Sequence, residues 1–382
     1  MKIRILVMLL CACLLLSACI AVPGEVQTTK TAEMSGQEQG NQPNSTEPPV
    51  QSEKEFVKAV YDELPEEDCY YRYGNMQKAN ADENFVIYGD EVLFVGGDIS
   101  RLYAYDLTTG KARRFCNIPD CDHTSSACRV LGLARPNLES YDGKLYTHFY
   151  NTPVKVLENS EWKSMGIRAD HAWHAYGDLF TVQAGRLKFY DDGVGEPRTI
   201  LNDYDYLFNV VVGRYLYSHS CSGLVRVDLM ADNPSKEVVM EEVFCMVAED
   251  CIYYVDNTEG SDTYYLYRCD LDGSNSELLL DKPVLPASLN FDDEYLYFRL
   301  FTDHKIKGTE DSKDIYRMSK ADPAKVEKIA TLDKAAYMIF TAPGQDVLFV
   351  ITYGTIDSDG RVISDTYVMK RDGSGLTLLE LP

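Results

Sequence analysis

Basic residues are scarce in this 382-residue chain: 37 lysines and arginines stand against 60 aspartates and glutamates, which gives a formal net charge of -23 at pH 7. Proteins that bind nucleic acid neutralise its phosphates with clustered Lys and Arg side chains. The sequence contains no such cluster, and we therefore expect no nucleic-acid partner. The acidic balance instead favours solubility beside an anionic membrane surface.

The short motifs of common catalytic sites are missing as well. The sequence contains no G-x-S-x-G, no H-E-x-x-H, no P-loop and no Rossmann glycine pattern, each of which places reactive groups at fixed spacings. Carboxylates are so abundant that no pair can be assigned to general acid and base catalysis. The sequence therefore predicts a protein that is not an enzyme.

A short apolar run, residues 5–16, follows Lys2 and Arg4 at the start of the sequence. It is shorter than the roughly 20 residues that an ordinary transmembrane anchor needs, and with the small residues after it the run is typical of a secretory signal. Residues 16–19, LSAC, resemble the lipobox of bacterial lipoproteins. The resemblance implies cleavage after residue 18, diacylation of Cys19, and a cell-envelope location on the outer face of the cytoplasmic membrane, or on the outer membrane if the cell has one.

The segment after the signal has almost nothing apolar to bury. Residues 19–52 are rich in Gln, Thr, Ser, Glu, Gly and Pro, which predicts a disordered linker that spaces the folded part about 30 Å from the lipid. Apolar residues then recur at helical spacing within residues 53–64, before Pro65. We expect a short amphipathic helix there, and we interpret residues 53–84 as this helix and a lead-in segment to a domain spanning 85–382.

Residues 85–382 contain a repeated aliphatic-aromatic pair that follows a turn signal. The seven copies are Leu93-Phe94, Leu145-Tyr146, Leu179-Phe180, Leu216-Tyr217, Ile252-Tyr253, Leu296-Tyr297 and Leu348-Phe349. Their average spacing of about 42 residues is typical of β-propeller blades. The sequence predicts an all-β fold, a seven-bladed β-propeller with four-stranded antiparallel blades; a pair of β-sandwiches is the alternative.

A ten-residue segment within this domain carries a second resemblance. Residues 266–275, LYRCDLDGSN, are similar to the LDGSN segment of the YWTD propeller repeats in low-density lipoprotein receptors and of a group of bacterial propeller lipoproteins. Residues 369–375 form a weaker second copy, and the YWTD tetrapeptide itself is absent from the sequence. The resemblance implies a propeller with a binding or scaffolding role and transfers no active site.

The segment richest in potential metal-ligand side chains contains three cysteines and one histidine: Cys116, Cys121, His123 and Cys128. Thiolates and imidazole are the ligands that Zn²⁺ prefers, and three cysteines with one histidine form a closed tetrahedral set typical of structural sites. The cluster also resembles a Cys/His insertion of those propeller lipoproteins. One disulfide with a leftover thiol, or a reactive thiol, remains the alternative, because exported proteins meet oxidising conditions.

Two further constellations are weaker. Cys251 and Cys269 would lie opposite each other if a hairpin were centred near Gly260, and a cross-strand disulfide is then an option. His171 and His174 are three residues apart, as two ligands on a helix would be, but the stretch precedes a predicted strand. The simpler interpretation is that both are interior or loop histidines whose hydrogen bonds are made within the protein.

Two classes of function follow. We expect a monomeric, lipid-anchored extracytoplasmic propeller that binds a protein, peptide or glycan without catalysis. The alternative is an exported propeller hydrolase or lyase acting on glycans or peptides, with carboxylates or histidines in the central channel. In propeller topology the cysteine cluster shares one face with the loops near residues 304–314 and 355–364, and this face is the predicted binding surface.

Overall fold

The computed structural model describes residues 85–381 except 96–101, 117–120, 122–136, 149–150, 160, 176, 192–194, 205–207, 221–222, 242, 258–262, 302–312, 343, 353–354 and 357–361. The predicted signal, linker and helix, including Cys19, lie outside these residues. Among the residues described, no helix is long and apolar enough to cross a membrane.

Seven four-stranded antiparallel sheets form the blades of a β-propeller, which confirms the predicted fold. Blades 1 and 2 consist of β1 (Phe85–Tyr88), β2 (Glu91–Val95), β3 (Leu102–Asp106), β4 (Lys111–Arg114), β5 (Asn137–Tyr141), β6 (Lys144–His148), β7 (Thr152–Glu158) and β8 (Glu161–Ala169). Blades 3 and 4 consist of β9 (His171–Ala175), β10 (Asp178–Gln183), β11 (Arg186–Tyr190), β12 (Arg198–Leu201), β13 (Phe208–Val212), β14 (Tyr215–Ser220), β15 (Gly223–Asp228) and β16 (Lys236–Glu241).

The remaining three blades follow the same order, with the first strand innermost. Blades 5 and 6 consist of β17 (Phe244–Val247), β18 (Ile252–Asn257), β19 (Tyr264–Cys269), β20 (Glu277–Leu280), β21 (Asn290–Phe291), β22 (Tyr295–Phe298), β23 (Asp314–Ser319) and β24 (Val326–Thr331), with a 3-10 turn at Pro286–Ser288 between them. Blade 7 consists of β25 (Ala336–Thr341), β26 (Leu348–Thr352), β29 (Thr366–Met369) and β30 (Thr377–Leu378), and a small hairpin of β27 (Thr355–Ile356) and β28 (Val362–Ile363) extends from it.

The repeated pairs lie on the second strand of each blade and are buried between blades. Successive side chains of a strand point to opposite faces, so each pair reaches both neighbouring blades. In blade 4, Leu216 packs in one cluster with Phe180 of blade 3, while Tyr217 packs in another with Ile252 of blade 5. Both members of the blade 4 pair are at most 1% exposed. The pairs are therefore the core of the ring.

The pair of blade 1 lies one residue further along its strand than the pairs of blades 2, 3, 4 and 6. Counted from the turn before β2, its equivalent pair is Val92-Leu93 rather than Leu93-Phe94. Leu93 accordingly packs with Leu145 of blade 2, and Phe94 points to the other side. Because the side-chain period of a strand is two, this one-residue displacement reverses which face carries the aromatic ring.

The junction between blades 7 and 1 is closed by aromatic rings. Phe85 of β1 stacks on Phe340 at 4.4 Å between centroids, and it lies 5.0 Å from Phe349 and 5.2 Å from Phe94. In the described part of the chain, no strand from one end pairs into the sheet of the other. Side-chain packing, not a shared blade, closes the ring there.

Successive strands of a blade run in opposite directions, so the connections between them lie on two different faces of the propeller. On one, here called the turn face, the first and second strands of each blade are joined by two to six residues, and the third and fourth by two to seven. The other, here called the loop face, carries the connections between second and third strands and between blades. It includes the longest connections of the domain, residues 115–136, 299–313 and 353–365.

Two tight turns on the turn face pack directly against the preceding blade. In blade 7 the turn residue Gly373 has φ +83° and lies directly against the Ile329 backbone of blade 6. The Arg317 guanidinium of blade 6 donates to the Arg371 carbonyl oxygen at 3.1 Å and pairs with Glu327. Blades 4 and 5 repeat this arrangement with Gly273 against Val239.

Asp292, in the turn between β21 and β22 of blade 6, connects blades 6 and 7 at the same boundary. One carboxylate oxygen accepts the amide N–H groups of Glu294 and Tyr295 at 2.9 and 2.8 Å. The other accepts the Tyr297 hydroxyl at 2.7 Å and the Arg371 guanidinium at 3.2 Å. Asp292 is 4% exposed, and its hydrogen-bonding capacity is filled from both blades.

Candidate functional site

The structure describes two members of the predicted cysteine-histidine cluster. Cys116 and Cys121 are half-buried, and they follow β4 on the loop face; His123 and Cys128 lie outside the described residues. Within the described ranges, no group of three or more His, Cys, Asp and Glu side chains is arranged to hold a metal ion. The zinc site stays a prediction.

The suggested cross-strand disulfide between Cys251 and Cys269 is wrong, since both are free cysteines. The register of β18 and β19 places Cys269 opposite Ile252, one residue beyond Cys251. The two thiols therefore point to opposite faces of blade 5 and enter different core clusters. Burial raises the pKa of Cys251 to about 12 and that of Cys269 to about 11, so both are unreactive thiols.

A buried acid–imidazole pair joins the innermost strands of blades 2 and 3. Glu139 on β5 contacts Nδ1 of His174 on β9 at 2.8 Å, and its second oxygen accepts the amide N–H of His174 at 2.7 Å. The two residues are 5% and 3% exposed. Because β9 is the edge of its sheet, this carboxylate covers a backbone donor that faces the inside of the ring.

Two tyrosine rings hold the His174 imidazole from its faces. Tyr141 stacks on it at 5.0 Å between centroids with an interplanar angle of 12°, and Tyr146 lies at 4.2 Å. The Tyr141 hydroxyl also accepts the amide N–H of Gly177. Burial raises the pKa of Tyr146 above its ordinary value, and nearby carboxylates raise it further: Glu139, Asp142 and Glu158.

His148 satisfies the next donor along the same inner edge. Its Nε2 accepts the Ala172 amide N–H at 3.1 Å. The boundary of blades 6 and 7 uses the same device, since the Asn290 amide donates to the Ile339 carbonyl oxygen at 2.8 Å. Side chains of one blade thus complete the hydrogen bonding of the next blade's inner strand.

Sequence reasoning singled out His174 but neither Glu139 nor His148. His171 and His174 lie on strand β9, which excludes the helical arrangement of two ligands. The acid–imidazole pair depends on the relative position of two blades whose residues are 35 apart in sequence. The sequence signal for such a pair is a histidine on the predicted edge strand of one blade, together with a carboxylate at the matching position of the preceding blade.

The LDGSN segment is a closed turn. Asp272 accepts the Ser274 amide N–H at 2.8 Å, and Asp270 accepts the Asn275 side chain at 2.6 Å. The hydrogen bonds from the side chain and amide of Ser274 lower the pKa of Asp272. These carboxylates are occupied by protein donors, and the segment serves the packing of Gly273 against blade 4.

No protein-family model matches the chain, and no curated protein sequence does. Among solved structures it is similar to the β-propeller domain of the Trilobed protease from Pyrococcus furiosus, which has an open velcro topology (12% identity, 78% of this chain and 96% of that chain, TM-score 0.47). It is also similar to the Pyrococcus horikoshii acylaminoacyl peptidase (13%, 78% and 51%, 0.46) and to a chain of a nidogen/laminin complex (13%, 62% and 93%, 0.37). At these identities and scores no activity is transferred, and the fold assignment rests on the seven sheets of this chain.

Proposed function

We propose that the protein is a binding module held at the cell envelope through a lipid on Cys19, and that its propeller binds a protein, peptide or glycan on the loop face. One observation supports this choice of face: the long connections 115–136, 299–313 and 353–365 all join strand ends on that face, while the turn face has connections of two to seven residues. Binding residues concentrate on loops that a rigid scaffold positions.

Arrays of peptides and glycans test the loop face directly. We expect the mature chain to bind members of one array, and replacement of residues 304–311 by a Gly-Ser segment to reduce that signal to background. The matched control changes the turn face, with Asp90→Ser in the exposed turn before β2. Loss of binding in the control but not in the loop variant would contradict the proposal.

Lipid attachment is tested by metabolic labelling with a fatty acid. We expect label in the wild type and none in Cys19→Ser, because the thiol of Cys19 is the proposed acylation site. Cys13→Ser, a cysteine within the apolar run, is the control and should keep the label. Label retained in Cys19→Ser would show that this chain is not a lipoprotein of the proposed type.

We further propose that Cys116, Cys121, His123 and Cys128 bind one structural zinc ion on the loop face. Four protein ligands leave no open position for a substrate or an activated water. Elemental analysis should find about one zinc per chain, and His123→Ala should abolish it. Cys245→Ala, which changes a buried thiol of blade 5, should leave it unchanged. A metal-free preparation with two cluster thiols joined as a disulfide would contradict the zinc site.

A further inference from the structure

Three consecutive blades repeat a row of tyrosine, arginine and glutamate across their second, third and fourth strands. The rows are Tyr217-Arg226-Glu237 in blade 4, Tyr253-Arg268-Glu277 in blade 5 and Tyr297-Arg317-Glu327 in blade 6. Residues directly opposite each other on neighbouring strands lie on the same face of a sheet, and each of these tyrosines packs with residues of the following blade. Each arginine therefore faces the following blade, and it pairs with its glutamate through Nε and Nη2.

In blades 4 and 6 the remaining guanidinium nitrogen, Nη1, donates to the following blade. Nη1 of Arg226 donates to the Leu271 carbonyl oxygen at 3.4 Å, and Nη1 of Arg317 donates to the Arg371 carbonyl oxygen at 3.1 Å. Both carbonyl groups directly precede an Asp-Gly pair. The glycine of each pair lies against the fourth strand of the preceding blade, where a Cβ would not fit. An Asp-Gly turn thus fills both boundaries.

The boundary of blades 5 and 6 lacks this turn. Blade 6 joins its third and fourth strands through residues 320–325, KADPAK, which contain no glycine. The structure describes all the connections on the turn face of blades 5 and 6, and among the described residues the Arg268 guanidinium donates only to Glu277. Its side chain is 36% exposed, against 15% for Arg226 and 17% for Arg317. Arg268 therefore has a solvent-accessible guanidinium where the other two rows are covered by a turn.

The charges at this boundary suit the same kind of turn. Lys320 of blade 6 reaches over the Tyr253 ring, with 5.8 Å from Nζ to the ring centroid, and so adds a positive charge beside the residue opposite Arg268. In the turn of blade 5, hydrogen bonds from the serine two residues on lower the pKa of Asp272, and the nearby Arg226 lowers it further. The aspartate of such a turn is therefore attracted to the arginine that the turn covers.

We propose that the boundary of blades 5 and 6 on the turn face is a docking groove for an Asp-Gly turn of a partner protein, in which the carbonyl group before the aspartate accepts a hydrogen bond from Nη1 of Arg268. The chain itself shows which occupant fits, because it seats such a turn at the two equivalent boundaries. Both of those turns are held within this chain, so the occupant comes from another molecule. The groove lies on the turn face, and the proposal is therefore independent of ligand binding on the loop face.

Nitrogen NMR of the full mature chain labelled with ¹⁵N-arginine tests the groove, with the disulfide-cyclised peptide CLDGSC as the probe. We expect the peptide to shift the Nε signal of Arg268 and to leave those of Arg226 and Arg317 in place, because their carbonyl partners are already present. Arg268→Met assigns the signal. The matched peptide CLDASC should give no shift, since its added Cβ would meet the fourth strand of blade 5, as a Cβ at Gly273 would meet that of blade 4. No shift at Arg268, or an equal shift with the alanine peptide, would overturn the proposal.

Affinities of variants for the cyclic CLDGSC peptide separate the groove from other surfaces. Arg268→Met should weaken binding about tenfold or more, because a hydrogen bond from a charged donor is lost. Arg214→Met is the matched control: it removes a turn-face arginine of blade 4 that pairs with Asp228, and it should bind as the wild type does. The variant in residues 304–311 should also bind as the wild type does, which separates this result from that of the loop face. Equal affinities of Arg268→Met and the wild type would overturn the proposal.

Sedimentation velocity of the full mature chain alone tests whether the occupant is a second copy. We expect a monomer, because the chain's own two turns of this type are already seated. A dimer that Arg268→Met dissociates would overturn the assignment of the groove to a different protein.

Discussion

Gly373→Ala is expected to lower the free energy of unfolding by about 2–5 kcal/mol, the sum of a left-handed backbone penalty of about 1–2 kcal/mol and an overpacking penalty of about 1–3 kcal/mol. Gly373 has φ +83°, and an added Cβ would lie 2.6 Å from the Ile329 carbonyl carbon and closer still to its oxygen. The obstacle is backbone of the neighbouring blade, so relief requires that blades 6 and 7 separate. Chemical denaturation of both proteins measures the difference.

Gly375→Ala is the matched control for this change. Gly375 lies in the same turn with φ +70°, but nothing lies within 4 Å of an added Cβ. Its replacement should therefore cost only the backbone penalty of about 1–2 kcal/mol. Equal losses at the two positions would contradict the idea that this turn locks the blades together.

Asp292→Ala should have an effect of similar size for a different reason. The change leaves the Tyr297 hydroxyl and two backbone N–H groups without their acceptor inside the protein, and it removes the buried partner of Arg371. Each buried donor left without an acceptor costs about 1–3 kcal/mol, whereas Arg371 is 26% exposed and keeps its pair with Asp293. Thermal and denaturant unfolding should both report this loss.

Asp293→Ala is the control for charge alone. Asp293 also pairs with the Arg371 guanidinium, at 3.0 Å, but its side chain is 68% exposed. Exposed pairs contribute about 0–1 kcal/mol, so this variant should be close to the wild type. If Asp293→Ala were as unstable as Asp292→Ala, net charge rather than the buried network would be responsible.

The number of blades could be predicted from sequence because each blade contributes an aliphatic-aromatic pair to its second strand. In six blades the aliphatic member of the pair packs against the preceding blade. In blade 1 the aliphatic member, Leu93, packs instead against the following blade. Pattern matching follows residue type, whereas the face that a side chain occupies follows the side-chain period of the strand. Leu93 and Phe94 are both buried on β2, as predicted, but with their faces exchanged.

The chemistry of the inner edge could not be predicted in the same way. Asn290 and Ile339, or Glu139 and His174, meet only after two blades have packed, and nothing local marks their relative position. The spacing of the pairs also does not predict the register of the strands to the exact residue. Cys251 is an example, because a hairpin displaced by one position moves its side chain to the opposite face of the blade.

Closure of the ring by Phe85, Phe94, Phe340 and Phe349 has a consequence for chain connectivity. Because each of the seven sheets is built from one stretch of sequence, and no strand of the described residues is shared across the 7–1 junction, each described blade is a complete unit of sequence. A circular permutant that joins the described ends by a linker and opens the chain between blades 3 and 4 would still build all seven sheets. The cyclic order of the blades would stay the same, and only the blade at which the polypeptide starts would change.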